Sequence, residues 1–281
     1  MVTVSAQPWA DDHCAEVREE IVVEELPISI VINGVSYAVM LATPLDLEDF
    51  VTGFLWTETI IQKTEEILAL EISDTTEGWA IFVQVDEAAA KRAVALRRVL
   101  PGGSSCGLCG IPDFAGLQPF PPLPAGTVPV KAAEIFATFS EMKCQQFLND
   151  QNGNTHAAAL RFRDGCVLVR EDIGRHNAVD KALGAALRAG REPEQAPLLA
   201  VSSRLSFEIL RKAISWRVPL VAAISGVSSL AIEVARRNNV IIIGYARDSR
   251  YTVYGTAEGS QPYCPVPRGG DPDMGRREIA G

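Results

Sequence analysis

Between residues 198 and 245 the chain alternates short unbroken runs of Val, Ile, Leu and Ala with segments of helical periodicity, and this constrains its fold most. The runs 198–202, 218–224 and 240–245 have strand length, and 205–216 and 229–237 read as helices. Strands apolar at consecutive positions are buried on both faces, and helices between them provide the crossovers of a parallel sheet. The expected fold class is α/β.

Upstream, the pattern is mixed. Two strands, 28–32 and 35–41, flank Asn33-Gly34, a dipeptide that tolerates positive φ at both centres of a type I′ turn. Thr43-Pro44-Leu45-Asp46 reads as a helix start with Thr43 as N-cap, followed by a stripe of Leu47, Phe50, Val51, Phe54 and Leu55. A strand over 80–85 and a helix over 87–100 complete a smaller α+β unit spanning 21–100. Residues 1–20 are polar and are expected to be an irregular, flexible N-terminus. A second unit, 130–256, opens with a helix over 131–148 whose Ile135, Phe136, Phe139, Met142 and Phe147 share a face. A hairpin of 157–163 and 167–171 turns at Asp164-Gly165, and the alternating region follows. Beyond 256 the chain is rich in Gly, Pro and charge, so 257–281 is expected to be disordered.

At 281 residues and 47% hydrophobic content the chain can bury one large core or two modest ones. Six cysteines without a regular framework make no disulfide scaffold, and no run reaches the roughly 18 apolar residues of a membrane span. No secretory signal pattern opens the sequence. A reducing compartment, the cytoplasm, is expected, with no membrane partner. The net charge of −9 argues against non-specific nucleic-acid binding, although a local basic pocket is compatible with it.

In open α/β sheets a ligand sits beyond the carboxyl ends of the parallel strands. Three such ends carry polar chemistry: Ser203-Arg204-Leu205-Ser206, Ser225-Gly226-Val227-Ser228-Ser229 and Tyr245-Ala246-Arg247-Asp248-Ser249-Arg250. Hydroxyl-rich helix N-termini favour anions, and arginine forks match phosphate oxygens. A serine before a helix is, however, most often only a cap. A further segment, 171–181, leaves a strand and enters a helix bearing Arg175, His176, Asp180 and Lys181; His156 stands at another strand end. Together these predict a phosphate-rich small molecule bound by the second unit.

Cys106-Gly107-Leu108-Cys109 lies in the Gly- and Pro-rich segment 101–129, read as a flexible linker. Zinc would need two further ligands, and no second compact pair exists. Thioredoxin-like exchange expects a helix after the pair, where prolines stand instead. Sulfur transfer through an accessible thiolate is the reading that uses the flexibility of the loop. Zinc and redox readings remain as minor alternatives.

The motifs Ser104-Ser-Cys-Gly-Leu-Cys-Gly110, Thr155-His-Ala-Ala-Ala-Leu160, Glu171-Asp-Ile-Gly-Arg-His-Asn-Ala-Val-Asp-Lys181 and Arg204-Leu-Ser-Phe-Glu208 with Lys212 resemble the formate dehydrogenase accessory sulfurtransferases, the FdhD family. The resemblance extends over about residues 24–255. It implies a cytoplasmic, homodimeric sulfur carrier that takes persulfide sulfur from a cysteine desulfurase. The implied acceptor is the molybdenum bis(molybdopterin guanine dinucleotide) cofactor destined for formate dehydrogenase. Cys106 maps to the persulfide carrier and Cys109 to its helper. Tyr245, Ala246, Arg247, Asp248, Ser249 and Arg250 map to the cofactor-contacting segment. Arg175, His176, Lys181 and Arg204 would join them on its phosphates and guanines. The resemblance also implies a second domain built as a three-layer sandwich like the cytidine deaminase fold, without its zinc site. A cofactor-binding chaperone that needs no thiol, and a thiol–disulfide oxidoreductase, are the rival functions.

The chain departs from the family pattern at three places. Ser202-Ser203-Arg204 stands for Ser-Gly-Arg, Ser225-Gly226-Val227-Ser228 for Ser-Ala-Pro-Thr, and Thr59 for a glycine after Glu58. The first two departures fall in the expected crevice.

Overall fold

A computed structural model describes residues 1–10, 13–96, 121–124 and 130–254. The expected linker 101–129, apart from 121–124, and the expected tail 257–281 lie outside the described residues.

The N-terminal stretch is not irregular. Strand β1 (Val2–Ala6) pairs antiparallel with β4 (Arg18–Val22), and between them β2 (Trp9–Ala10) pairs with β3 (His13–Cys14). Alternating Val and Ile within polar residues suffices for a solvated ribbon, which a search for buried runs overlooks.

Strands β5 (Leu26–Ile32) and β6 (Val35–Ala42) form the expected hairpin, with Asn33 at φ 48° and Gly34 at φ 79°. Helix α1 (Leu47–Thr57) follows, and its N-cap is Asp46 rather than Thr43. Thr43 is needed elsewhere: its N–H donates to Asp172 at 3.0 Å, and its hydroxyl accepts from the N–H of Ile173 at 3.2 Å. Strand β7 (Ile67–Thr75), absent from the sequence reading, joins β8 (Gly78–Val85), and helix α2 (Glu87–Leu96) closes the unit. The four strands run in the order β6-β5-β8-β7, and Ile28, Ile30, Ile81 and Val83 pack beneath Phe50, Val51, Leu55, Ala89 and Ala93.

Helices α3 (Ala132–Cys144) and α4 (Phe147–Asn152) replace the single expected helix 131–148. The break leaves Phe147 69% exposed rather than on the buried face with Ile135, Phe139 and Met142. Strands β9 (His156–Arg161) and β10 (Val167–Asp172), helix α5 (Arg175–Arg188), β11 (Leu198–Val201), α6 (Phe207–Ser215), β12 (Leu220–Ala223), α7 (Ser229–Arg237), β13 (Ile241–Arg247) and β14 (Arg250–Tyr254) complete the described chain.

The order in this six-stranded sheet is β10-β9-β11-β12-β13-β14. Only β11, β12 and β13 are mutually parallel; β9, β10 and β14 run against their neighbours, so the sheet is mixed. Both faces are covered, as the continuous apolar runs require. Ala158, Leu160, Leu199, Val201 and Val221 face α5, α6 and α7, whereas Ala157, Ala159, Leu198, Ala200 and Leu220 face α3.

The two sheets are joined through α1 and α5. A Cβ on Gly53 would lie 1.8 Å from the carbonyl oxygen of Asp180, and one on Gly184 would lie 1.8 Å from that of Asp49. Asp49 accepts from Arg170 at 2.8 Å and Arg188 at 2.6 Å, tying α1 to β10 and α5. Trp56 donates its indole N–H to Ser215 O at 3.1 Å, tying α1 to α6.

Candidate functional site

The carboxyl ends of the three parallel strands open at one edge, together with the start of β9 and the end of β10. The connecting loops are laced to each other by backbone bonds. Leu205 N–H donates to Gly226 O and Ser228 N–H to Leu205 O, both at 3.0 Å, and Tyr245 N–H donates to Ser225 O at 3.0 Å. Ser202 accepts from Ala157 N–H through its hydroxyl at 2.8 Å, clamping the loop after β11 onto β9. Fixed loops of this kind hold ligand-facing groups in place without further reorganisation.

The acidic members of the 171–181 segment build its scaffold. Glu171 accepts from the backbone N–H groups of Leu148 and Asn149 at 2.8 and 2.9 Å and from the Thr155 hydroxyl at 2.8 Å. Asp172 accepts from Gly174 N–H at 2.7 Å and from the Asn177 amide at 2.9 Å, besides Thr43. Lys181, expected among the ligand-binding cations, is fully buried: its ammonium pairs with Asp172 at 2.7 Å and donates to Thr43 O at 2.9 Å. That charge is satisfied inside the protein, so Lys181 braces the end of β10 from below and does not line the crevice. One residue earlier, Asp180 accepts two bonds of 2.8 Å from Lys212 and one of 2.8 Å from the Thr57 hydroxyl. Burial pushes the Asp180 carboxyl above its usual value, while Lys212 and Thr57 pull it back.

The remaining polar groups of this edge are less satisfied. Among the described residues, four buried side-chain polar atoms have no partner, and three of them belong here: Arg175 Nε, His176 Nε2 and Ser206 Oγ. His176 is only 5% exposed, and its Nε2 stands 4.0 Å from Glu208, beyond hydrogen-bond reach. Burial, then the Arg175 guanidinium, Lys212 and His156, lower its pKa to about 3. His156 is likewise lowered, chiefly by burial and then by Arg175 and Arg204, against a smaller raising effect from Asp172. Both imidazoles are therefore neutral near pH 7. Arg204 is exposed beside them.

The segment 245–250 is the hairpin between β13 and β14. Tyr245 sits at φ 54° in a bulge, 48% exposed, and its hydroxyl lies where a Cβ on Gly226 would meet it at 2.8 Å. Asp248 and Ser249 turn the chain with φ of 52° and 59°, presenting exposed Arg247 and Arg250 side by side. Ala246 points the other way, 2% exposed in the core against α3, so its side chain offers nothing to a ligand. Ser228 bonds Ala231 N–H at 3.3 Å and is a helix cap, the ordinary role of a serine in that position. Glu208 is a site feature that sequence reasoning did not single out, although it lies in the Arg204-Leu-Ser-Phe-Glu208 motif, whereas Ser206 belongs to one of the hydroxyl-bearing strand ends that the sequence marked. Cys106 and Cys109 lie outside the described residues. Among the described residues, no group of His, Cys, Asp and Glu is clustered to hold a metal ion, and no helix is long and apolar enough to cross a membrane.

These features define an α/β protein with a polar, arginine-bearing edge at the carboxyl ends of its parallel strands. The chain belongs to the FdhD/NarQ family, whose model matches residues 23–260. It is 38% identical over 245 residues to a sulfur carrier protein FdhD of Bordetella petrii, covering 87% of this chain and 88% of that one. With the sulfur carrier protein FdhD of Acinetobacter baylyi it shares 37% identity over 243 residues, 86% of this chain and 89% of the relative. A crystal structure from Desulfotalea psychrophila, described as that of a formate dehydrogenase accessory protein, superimposes with a TM-score of 0.71 at 27% identity, covering 92% of this chain and 97% of that one.

Proposed function

We propose that this protein is a sulfur carrier serving formate dehydrogenase, and that Cys106 carries the sulfur as a persulfide. The observation that carries the reading is the near full-length similarity to sulfur carrier proteins of this family; the thiol pair of this chain, Cys106 and Cys109, is the proposed carrier and helper. A cysteine desulfurase is the proposed donor. The Cys106 thiolate attacks the outer sulfur of the donor persulfide, an S–S bond forms on Cys106, and the donor cysteine leaves as thiolate. Cys109 then attacks Cys106 Sγ, forming the Cys106–Cys109 disulfide and releasing sulfide to the acceptor. A cellular dithiol reductant restores both thiols.

The proposed acceptor is the molybdenum bis(molybdopterin guanine dinucleotide) substrate, bound at the carboxyl edge of the parallel strands. Its phosphates suit the free donors of Arg175, His176 and Ser206 and the exposed Arg204, Arg247 and Arg250. Tyr245 supplies an exposed aromatic face for a guanine. A cytoplasmic homodimer is part of the same proposal, as is a kinship of the six-stranded unit with the cytidine deaminase fold.

Incubation with a cysteine desulfurase and cysteine, followed by intact-mass measurement, tests the carrier role. A one-sulfur adduct is expected on the wild type and none on Cys106→Ala. An unmodified wild-type protein, or an adduct unchanged in Cys106→Ala, overturns it and favours a binding chaperone.

A further inference from the structure

The ribbon that opens the chain has little cover. Strands β1 and β4 pair only with each other, and β2 and β3 likewise, so each pair is a two-stranded sheet. A two-stranded ribbon is at best marginally stable in water and gains stability from further strands or a packed face. β4 packs beside α4, whereas Val2 and Val4 of β1 remain 41% and 38% exposed. All four strands lie before residue 23, where the match to the family model begins, so the matched core does not account for the ribbon.

β1 is also the least guarded sheet edge. Natural sheets protect edge strands with charges, proline or bulges. β10 carries Arg170, Glu171 and Asp172; β7 carries Glu71, Asp74 and a register shift; β14 carries Arg250. Uncharged β6 has a register shift against β5, and the carbonyl of its Leu41 accepts from Asn177 at 2.8 Å. β4 has Arg18, Glu19 and Glu20. β1, Val-Thr-Val-Ser-Ala, has no charge, proline or register shift. Among the described residues, no hydrogen bond reaches it from any element but β4.

Two such ribbons can pair in three ways. β4 against its own copy, antiparallel about Glu20, sets like charge on like. β1 against β4 of another copy leaves a free edge at each end and grows as an open filament. β1 against its own copy, antiparallel about Val4, closes with two-fold symmetry. It sets Val4 against Val4, Val2 against Ala6 and Thr3 against Ser5, with no charge at any pair. Within each ribbon Val2 stands opposite Val22, Val4 opposite Glu20 and Ala6 opposite Arg18. One face of the joined sheet therefore has the apolar Val2, Val4 and Ala6 of both copies at its centre, flanked by the Arg18–Glu20 ion pairs of 2.7 Å. We infer that β1 is the surface on which two copies of this chain meet, pairing antiparallel about Val4 into one four-stranded sheet ordered β4-β1-β1-β4. The functional reading includes a homodimer but no surface for it. The inference rests on that reading for the number of copies only, and on no step of sulfur transfer.

Sedimentation velocity of the full chain tests this surface. Five residues a side make a small interface, so a reversible equilibrium between single chain and dimer is expected, shifting to the dimer as concentration rises. Val4→Lys places two like charges across the axis and should weaken the dimer about tenfold. Lysine suits an exposed edge strand and would stand opposite Glu20 of its own ribbon, so β1 and β4 stay paired. Val4→Glu should weaken self-association as well. An equimolar mixture of the Val4→Lys and Val4→Glu chains should associate again, because opposite charges then meet at the axis; damage to each chain's own fold would not be rescued by mixing. Ile21→Lys, at a position 47% exposed on the other face of the ribbon, should leave the dimer unchanged. A wild-type chain that stays monomeric up to about 1 mM, a dimer undiminished in Val4→Lys, or a mixture that fails to associate would each overturn the assignment. A sulfur adduct on Cys106 of a monomeric chain would remove only this surface. A dimer sensitive to Val4 but without the adduct would remove only the carrier role.

Discussion

Gly53 of α1 and Gly184 of α5 face each other across the junction of the two sheets, and neither has room for a methyl group. A Cβ on Gly184 would stand 1.8 Å from Asp49 O and 2.6 Å from Gly53 N, all backbone that cannot yield locally. Gly184→Ala should therefore force the helices apart and cost about 3 kcal/mol. Gly34→Ala, where nothing lies within 4 Å, carries only the penalty of φ 79°, about 1 kcal/mol. Urea midpoints of the two variants give the comparison; equal losses would show that the helices separate without penalty.

The same junction explains what the sequence could and could not disclose. Periodicity located α7 to the residue and the strands around it to within a few, because Val, Ile and Leu in unbroken runs have few other places to go. Asn33-Gly34 announced its own turn. By contrast, Thr43 looked like a cap and Lys181 like a ligand. Both assignments failed because Thr43 and Lys181 meet at Asp172, more than a hundred positions from Thr43 in sequence. Local chemistry marks a residue as polar; only tertiary pairing decides whether that polarity is satisfied inside or left for a ligand. β7 was missed for a related reason. Its Glu71, Ser73 and Asp74 break the apolar signal, while pairing to β8 supplies the stability that propensity lacks.

Lys212 and Asp180 form a buried ion pair of the junction, 6% and 1% exposed. Lys212→Met should cost about 3–5 kcal/mol, because it leaves Asp180 buried with only Thr57 as a partner. Adding Asp180→Leu should recover much of that loss, since no uncompensated charge then remains. Chemical denaturation of the three variants measures the coupling. Additive losses would mean that the two residues act independently.

His176 gives stability a defined dependence on pH. Its folded pKa of about 3 lies below the ordinary 6.5, so the unfolded chain binds the extra proton first as pH falls. The contribution is complete above pH 6.5 and is lost progressively between 6.5 and 3. At pH 5 the loss from this residue should be about 2 kcal/mol. His176→Gln, which cannot take up the proton, should show a shallower decline over the same range in urea midpoints. Parallel declines would place the acid sensitivity in other groups.

Two serines at equivalent positions should respond oppositely to the same substitution. Ser228 accepts from Ala231 N–H, so Ser228→Ala removes a cap and should lower stability by about 1 kcal/mol. Ser206 opens α6 in the same way, but its hydroxyl bonds nothing. Ser206→Ala should therefore leave stability unchanged or raise it by up to about 1 kcal/mol, since it deletes a buried group that has lost its water without gaining a partner. A hydroxyl kept at a cost to the free protein is the stability signature of a site built for something that binds. Thermal or urea unfolding of both variants decides the matter. If Ser206→Ala destabilises as Ser228→Ala does, the Ser206 hydroxyl is an ordinary cap, and the case for a ligand between α5 and α6 falls back on His176 and Arg175.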